Sequence, residues 1–585
     1  MLRILSLTLV LGAGFSAWWT RPAPLPLPDV SGGVRTPYRG ERLAGYDRLF
    51  WAELRGDRAE IARLAETATG YLRYRALLKL ARDETRPPAE RLRALEQVLA
   101  YGLISPLRRD DLRRAQLELG DLAAAAGRTA AAAAAYGEAL PLAGAGRGLS
   151  RLDLAPRERA RIFLAARDPE AALRALRGVP APELRAPALA ATGELEGALR
   201  TYGRVLRRRP GDEGALEGRF RVLVALGRFR QAERLLPELA DPLGGAARLA
   251  EAENDPDAAL AAYSDLYLDR GDEGSGWAAA GLLERRGEAA AALPLYLDLA
   301  RTGSDYRDDA AFRAYTLAIR AGNAEAARAA DALVPADSFF GLLRGKTRPV
   351  PAGRLERATP PVLELSRQLR EAGDTEAALG ELLLALGDAR SEAAAVAVAE
   401  ALQALGEYGA SSERARGFID AGSRARRTYR VAYPRAYAGA VQAAAREFGV
   451  PPALVWAVMR QESHFYPRAV SVSSARGPMQ FVPGTWNYVA ELLNEPPADP
   501  FGVAASARYG AFYLSRLRAS FGGNLAYSVA AYNGGPGYVG GLLDEPHLAP
   551  HAATEADFYR FITRDETREY VARVLYNYAV YTELY

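Results

Sequence analysis

The run Trp456-Ala457-Val458-Met459-Arg460-Gln461-Glu462-Ser463 sets a carboxylate at the end of an apolar segment. It follows Gly449-Val450-Pro451-Pro452, and proline can open a helix because the first helical amides have no intrahelical partner. Leu454, Val455, Val458 and Met459 recur at helical spacing and mark a face to be buried. Glu462 comes four residues after Val458 and three after Met459, so it continues that face. Burial disfavours the charged form of a carboxyl group and raises its pKa. A general acid working near neutral pH needs that property. The alternative is a carboxylate that ends the helix by turning to water or pairing with an arginine.

Further residues follow in order. His464-Phe465-Tyr466-Pro467-Arg468-Ala469-Val470-Ser471 continues the stretch, then Gly477-Pro478-Met479-Gln480-Phe481-Val482-Pro483-Gly484-Thr485-Trp486. Phe521-Gly522-Gly523-Asn524, Ala530-Ala531-Tyr532-Asn533-Gly534-Gly535-Pro536-Gly537 and Glu566-Thr567-Arg568-Glu569-Tyr570-Val571 complete the set. These motifs, in this order over one domain length, are specific. The set resembles the catalytic domain of the soluble lytic transglycosylases over about 150 residues, from near Tyr433 to the C-terminus. The resemblance implies a lysozyme-like fold that cleaves peptidoglycan, with Glu462 as the catalytic acid. It further implies that Ser471 hydrogen-bonds the substrate acetamide or nearby sugar groups, and that Met479 and Gln480 line the sugar groove. By the same resemblance Tyr532 would approach the catalytic site, Asn533 would hold the Gly-rich turn, and Glu566 would sit at the peptide-stem end of the groove. The single acid fits the family's chemistry, in which the muramyl C6 hydroxyl is the nucleophile.

The sequence departs from the family pattern in places. Pro478 stands where the family has leucine, Ser474 where a small glycine is usual, and Ser506-Ala507 replaces an Asn-Ile pair. The loop before Tyr513-Leu514 is longer. These departures bear on the groove more than on Glu462. Glycosidases normally use two carboxylates, but no second acid lies in a comparable motif. Asp499, before Pro500, reads as a cap for the next helix. His464, His547 and His551 have no metal-ligand spacing, so neither a metal nor another cofactor is expected.

The rest of the chain must carry this domain. At 585 residues, 49% hydrophobic and 25% charged, it is globular and long enough for several domains. Lysine occurs only at Lys79 and Lys346, so nearly every base is arginine, yet acids are interspersed and the net charge is only +4. That pattern argues against a nucleic-acid surface. The absence of cysteine excludes disulfides, thiol catalysis, thiolate metal sites and lipid attachment at an N-terminal cysteine. Arg3 precedes an apolar run from Ile4 to Trp19, which fits an export signal, cleaved or kept as an anchor. Arg21-Pro22-Ala23-Pro24-Leu25-Pro26-Leu27-Pro28 then reads as a stiff spacer.

Between these ends a small residue recurs five positions before an alanine. Gly193 and Ala198, then Gly227 and Ala232, lie about 34 residues apart, the tetratricopeptide period. Asn254 with Ala259, Gly287 with Ala292, Gly322 with Ala327, Gly373 with Ala378, and Gly406 with Ser411 continue it less regularly. The small residues are expected to let paired helices approach. Ala130 to Ala135 favours helix. Loops near Pro349-Val350-Pro351 and Pro360-Pro361 interrupt the array, and a helix is expected to begin at Tyr433-Pro434-Arg435-Ala436-Tyr437.

The expected fold is therefore mainly α: a tetratricopeptide-like α-solenoid followed by a lysozyme-like α-rich domain. The expected divisions are 1–20 signal peptide or membrane anchor, 21–39 Pro-rich linker, 40–428 solenoid and 429–585 catalytic domain. The resemblance implies a peptidoglycan lytic transglycosylase that leaves 1,6-anhydromuramic acid ends. The alternatives are a goose-type lysozyme-like hydrolase or a non-catalytic envelope scaffold that grips glycan. Its partners would be glycan strands and, through the solenoid, envelope proteins. No nucleic-acid partner is expected, and membrane contact only through an uncleaved anchor. The location would be the periplasm or cell envelope.

Overall fold

A computed structural model of the chain describes residues 36–103, 108–140, 142–302, 306–336, 338–346, 349–544, 558–559 and 562–585. The expected signal, most of the Pro-rich linker, His547 and His551 lie outside them. The regular structure of the described residues is helical; besides helices and loops only isolated bridges occur among them, at Gly353–Ala425, Val470–Arg476 and Arg476–Phe481. No helix among them is long and apolar enough to cross a membrane. They fall into two compact units, one within Met1–Gly144 and Arg348–Tyr585, the other within Ala145–Thr347.

Within Ala145–Thr347 the chain runs as helical hairpins, such as Pro182–Ala191 with Leu195–Arg208 and Pro242–Glu253 with Pro256–Arg270. Their starts are coded locally. Asp212, Asp241, Asp255 and Asp272 each cap a helix by accepting from backbone N–H groups of its first turn. The recurring small residues turn out to have a different role from the one expected. Gly193, Gly227, Gly287, Gly322, Gly373 and Gly406 all have positive φ, as does Asn254. They end one helix in the left-handed conformation, where a side chain is penalised. Close approach comes instead from the alanine five residues on: Ala198, Ala232, Ala292 and Ala378 are fully buried. Around Ala198 and Ala232 pack Tyr202, Leu216 and Phe220.

The other unit holds the early helices together with everything after the loop at 349–360. Helix Gly70–Arg82 packs on Thr375–Asp388. Tyr71 donates to Glu376 at 3.0 Å, Tyr46 donates to Glu381 at 2.6 Å, and Asp374 receives Tyr38 and Arg75, each at 2.5 Å. Burial raises the Glu376 and Glu381 carboxyls above their ordinary value. The Tyr71 ring, fully buried, lies directly over Gly380, where an added methyl would run into it. Gly380→Ala is therefore expected to lower stability by about 1–3 kcal/mol through overpacking, outweighing the ~1 kcal/mol gain in helix propensity. Gly387→Ala on the same helix meets nothing within 4 Å. It is expected to be neutral or stabilising, and urea denaturation midpoints of the two variants test the contrast.

The C-terminal helices are Ala438–Phe448, Pro452–Ser463, Pro483–Leu492, Val503–Ser520, Leu525–Gly534, Pro536–Asp544 and Asp565–Leu584. The first begins at Ala438, not Tyr433, because Tyr437 is left-handed with φ 52° and cannot continue a helix. Pro452–Ser463 lies against Asp565–Leu584, which also packs on Leu525–Gly534. Ala130 to Ala135 falls in helix Thr129–Ala139, as the composition predicts.

Candidate active site

Helix Pro452–Ser463 starts with Pro452 in its first turn and stops at His464, whose φ is 46°. Its burial is nearly complete around the axis. Trp456, Ala457 and Arg460 are buried along with the apolar face predicted from spacing. Trp456 Nε1 donates to the Ala436 carbonyl at 2.8 Å, and the Arg460 guanidinium lies 4.4 Å from the Tyr433 ring centroid. These contacts hold the body of the helix, and the half-buried Glu462 lies in its last turn.

Among the described residues no arginine pairs with Glu462. Tyr570 Oη, from helix Asp565–Leu584, donates to Glu462 Oε1 at 2.6 Å. Burial pushes the Glu462 carboxyl up to about 8; the Tyr570 hydrogen bond pulls it back, and the nearby Glu566 charge adds to the rise. It therefore holds its proton at neutral pH. Burial first, and the Glu462 carboxylate second, hold the Tyr532 and Tyr570 phenols well above their ordinary value. The residues matter as a group: one protonated carboxyl facing two phenols that remain neutral donors.

The loop at 469–481 closes around this group. Ser463 Oγ donates to the Pro478 carbonyl at 2.8 Å, and Tyr532 Oη donates to the Met479 carbonyl at 2.9 Å. Met479 N donates to Ser506 Oγ at 3.1 Å, which gives the serine in place of asparagine a definite role. Pro478 costs the loop nothing here, since its carbonyl, not an N–H, is the group in use. Gly477 has φ 76°, and a Cβ there would meet the Pro500 carbonyl oxygen.

The sequence-predicted residues take distinct places. Met479 is fully buried beneath the loop, packed against Gly510, so its side chain forms the floor and its carbonyl is what Tyr532 reaches. The Gln480 amide donates to the Ala469 carbonyl at 3.1 Å and to the Gly477 carbonyl at 2.8 Å, bracing the loop from inside. Ser471 Oγ accepts from Ala475 N at 2.9 Å and sits 3.0 Å from Ser473 Oγ. Asn533 receives Thr567 Oγ1 at 2.7 Å and donates to Glu566 Oε1 at 3.4 Å. Glu462, Tyr532, Asn533 and Glu566 thus converge, while the hydrogen bonds of Ser471 stay within its own loop. Asp499 accepts from Phe501 N at 3.0 Å, and helix Val503–Ser520 has Gly502 at its N-cap position. Asp499 therefore makes a turn ahead of the helix and does not cap it. Phe481, Tyr513 and Tyr532 form a ring triangle with centroids 5.7 Å apart. Tyr570 is the residue that motif reading left without a role, although it lies inside the quoted Glu566–Val571 stretch. Among the described residues no group of His, Asp and Glu is arranged to hold a metal ion.

Comparison with known proteins is consistent with this geometry. The model of the transglycosylase SLT domain matches residues 439–546. The soluble lytic murein transglycosylase of Escherichia coli is 33% identical over 130 residues, 22% of this chain and 20% of that protein. That of Salmonella typhimurium is 31% identical over 147 residues, 24% of this chain and 22% of that protein. The chain's alignment thus spans about a fifth of the curated relatives it matches. A solved complex of the 70-kDa soluble lytic transglycosylase with bulgecin A has a similar fold, with a TM-score of 0.53 at 18% identity, covering 93% of this chain and 92% of that one. Residues 439–546 thus match the transglycosylase SLT domain, and there the chain resembles the soluble lytic murein transglycosylases.

Proposed function

We propose that the protein is a lytic transglycosylase that cleaves the β-1,4 bond between N-acetylmuramic acid and N-acetylglucosamine in peptidoglycan. The observation that carries this reading is the carboxyl of Glu462, protonated at neutral pH and hydrogen-bonded by Tyr570. Tyr570 occupies Oε1, and Oε2 carries the proton to the glycosidic oxygen. As the C1–O bond breaks, the substrate's acetamide supports the charge at C1. The C6 hydroxyl of the same sugar then attacks C1 and gives its proton back to Glu462. The product is a 1,6-anhydro end, and no water is consumed. A tethered hydroxyl can reach an effective molarity of about 10⁵ M or more, against roughly 55 M for water. Ser471, Gln480, Tyr532, Asn533 and Glu566 are proposed to contact or frame the glycan, and Met479 to support the groove from beneath. Export to the periplasm or cell envelope, by the N-terminal apolar run, belongs to the same reading. So does contact with envelope proteins through the helical array.

Glu566 favours one second reading. Its charge acts on Glu462, so it is the carboxylate that a goose-type hydrolase would use to hold a water. It is exposed and tied to Asn533, which supports the first reading over this one. Digestion of purified sacculi separates the two. New ends that resist borohydride are anhydro ends, and no net gain in reducing sugar is expected. A majority of reducible new ends would establish a hydrolase, and no release at all a glycan-gripping scaffold.

A further inference from the structure

Two consecutive non-glycine residues directly after the catalytic helix, His464 and Phe465, are left-handed, with φ 46° and 66°. Such a turn persists only when its surroundings hold it. The holding groups come largely from outside the matched domain, which begins at residue 439. Helix Gly409–Asp420 lies within the same compact unit. Its Glu413 places Oε1 2.8 Å from His464 Nδ1, and its Oε2 accepts from Tyr466 Oη at 3.3 Å. The fully buried Tyr466 ring lies over Gly409 of that helix, so close that an added Cβ would stand 2.5 Å away. Tyr408 meets the Tyr437 ring edge-on at 4.9 Å, and Tyr437 Oη donates to the Phe465 carbonyl at 2.9 Å.

The far end of the turn is held as well. Arg468 reaches Asp111 at 3.4 Å, on helix Arg109–Ala125. Asp111 is only 2% exposed and is already paired with the buried Arg108 at 2.6 Å. A carboxylate so buried is costly to leave unpaired, so this anchor is fixed before Arg468 joins it.

We propose that Glu413 is a positioning residue for Glu462, acting through the His464–Tyr466 turn from a helix outside the transglycosylase domain, with Asp111 holding the turn's other end at Arg468. The catalytic acid lies two residues before His464, in the last turn of its helix. Release of the turn would let that end of the helix fray and admit water beside the carboxyl. A misplacement of about 1 Å at a reacting group can cost about a hundredfold in rate. The site therefore extends beyond the residues that family matching delineates.

This inference rests on the transglycosylase reading, and the experiment keeps the two apart. The full chain and its variants are assayed on purified sacculi across pH, with thermal melts as the folding control. Glu413→Ala is expected to lower kcat about tenfold or more with little change in KM, and to move the alkaline limb of activity to lower pH as water reaches Glu462. Glu413→Gln, whose amide keeps a hydrogen-bonding group beside His464 Nδ1, is expected to restore most of the rate. His464→Asn tolerates the left-handed backbone and should reproduce the loss. The double variant should be no worse than either single one, since both break one link. A wild-type rate and an unmoved limb in folded Glu413→Ala would overturn the proposal. So would additive losses in the double variant, or a loss of melting temperature alone. Should Glu413→Ala fail to fold, His464→Asn and Glu413→Gln carry the same comparison. A wild-type chain that releases no glycan would overturn the transglycosylase reading instead.

Discussion

Replacing Glu462 by glutamine is expected to lower glycan release from sacculi at least a hundredfold while the fold holds. General acid–base groups contribute about 10²–10⁴-fold, and in the proposed reaction one group both gives and retakes the proton. The substitution keeps volume and one oxygen, so Tyr570 Oη can still donate at the site it now fills, 2.6 Å from Glu462 Oε1. The neighbours that fix the helix, Trp456 on the Ala436 carbonyl and Arg460 on the Tyr433 ring, are untouched. What is lost is the transferable proton. Muropeptide release measured against the wild type at equal folded concentration checks this. Activity within tenfold of wild type would remove Glu462 from the acid's role.

How far the sequence reaches is clear from particular residues. Glu462 is legible because a carboxylate continuing an apolar helical face is an expense that structure alone rarely accepts. Asn524 caps helix Leu525–Gly534 by accepting from Tyr527 N at 2.9 Å, a role that its place in the Phe521–Asn524 motif did not state. Tyr570 is not legible in the same way. Its hydrogen bond spans 108 residues, and nothing local distinguishes it from the chain's other tyrosines, 29 in all. Met479 shows a subtler gap. A motif position says that a residue belongs to the groove, but not whether it offers a side chain or a carbonyl. The repeats teach the converse. Their spacing was readable, yet the glycine in it ends helices and the alanine packs them, a distinction that only φ and burial reveal. The contacts of Tyr38, Tyr46 and Tyr71 with residues 374–381 had no local signal at all, since they join segments some 300 residues apart.

The pH dependence follows from the same carboxyl, and its sign can be worked out. Glu462 titrates at about 8 in the folded chain against an ordinary 4.5, so between those values the folded chain holds a proton that the unfolded chain has released. Its contribution to stability is complete below about 4.5 and is lost as pH rises through about 8. The half-buried side chain tempers the size to on the order of 2 kcal/mol. Glu462→Gln lacks this titration. Its melting temperature minus that of the wild type is therefore expected to grow from about pH 5 to about pH 9, a gain in stability bought with activity. The rate should follow the same proton: kcat/KM flat below about 8 and falling about tenfold per pH unit above it. Tyr570→Phe decides the cause. The hydrogen bond from Tyr570 favours the charged form of Glu462, so its removal should carry the alkaline limb to higher pH, while kcat falls because the proton is held too tightly. Glu566→Gln should move the limb the other way, to lower pH, since it removes a like charge. A limb that moves in the same direction in both variants would mean that neither contact sets the acidity of Glu462.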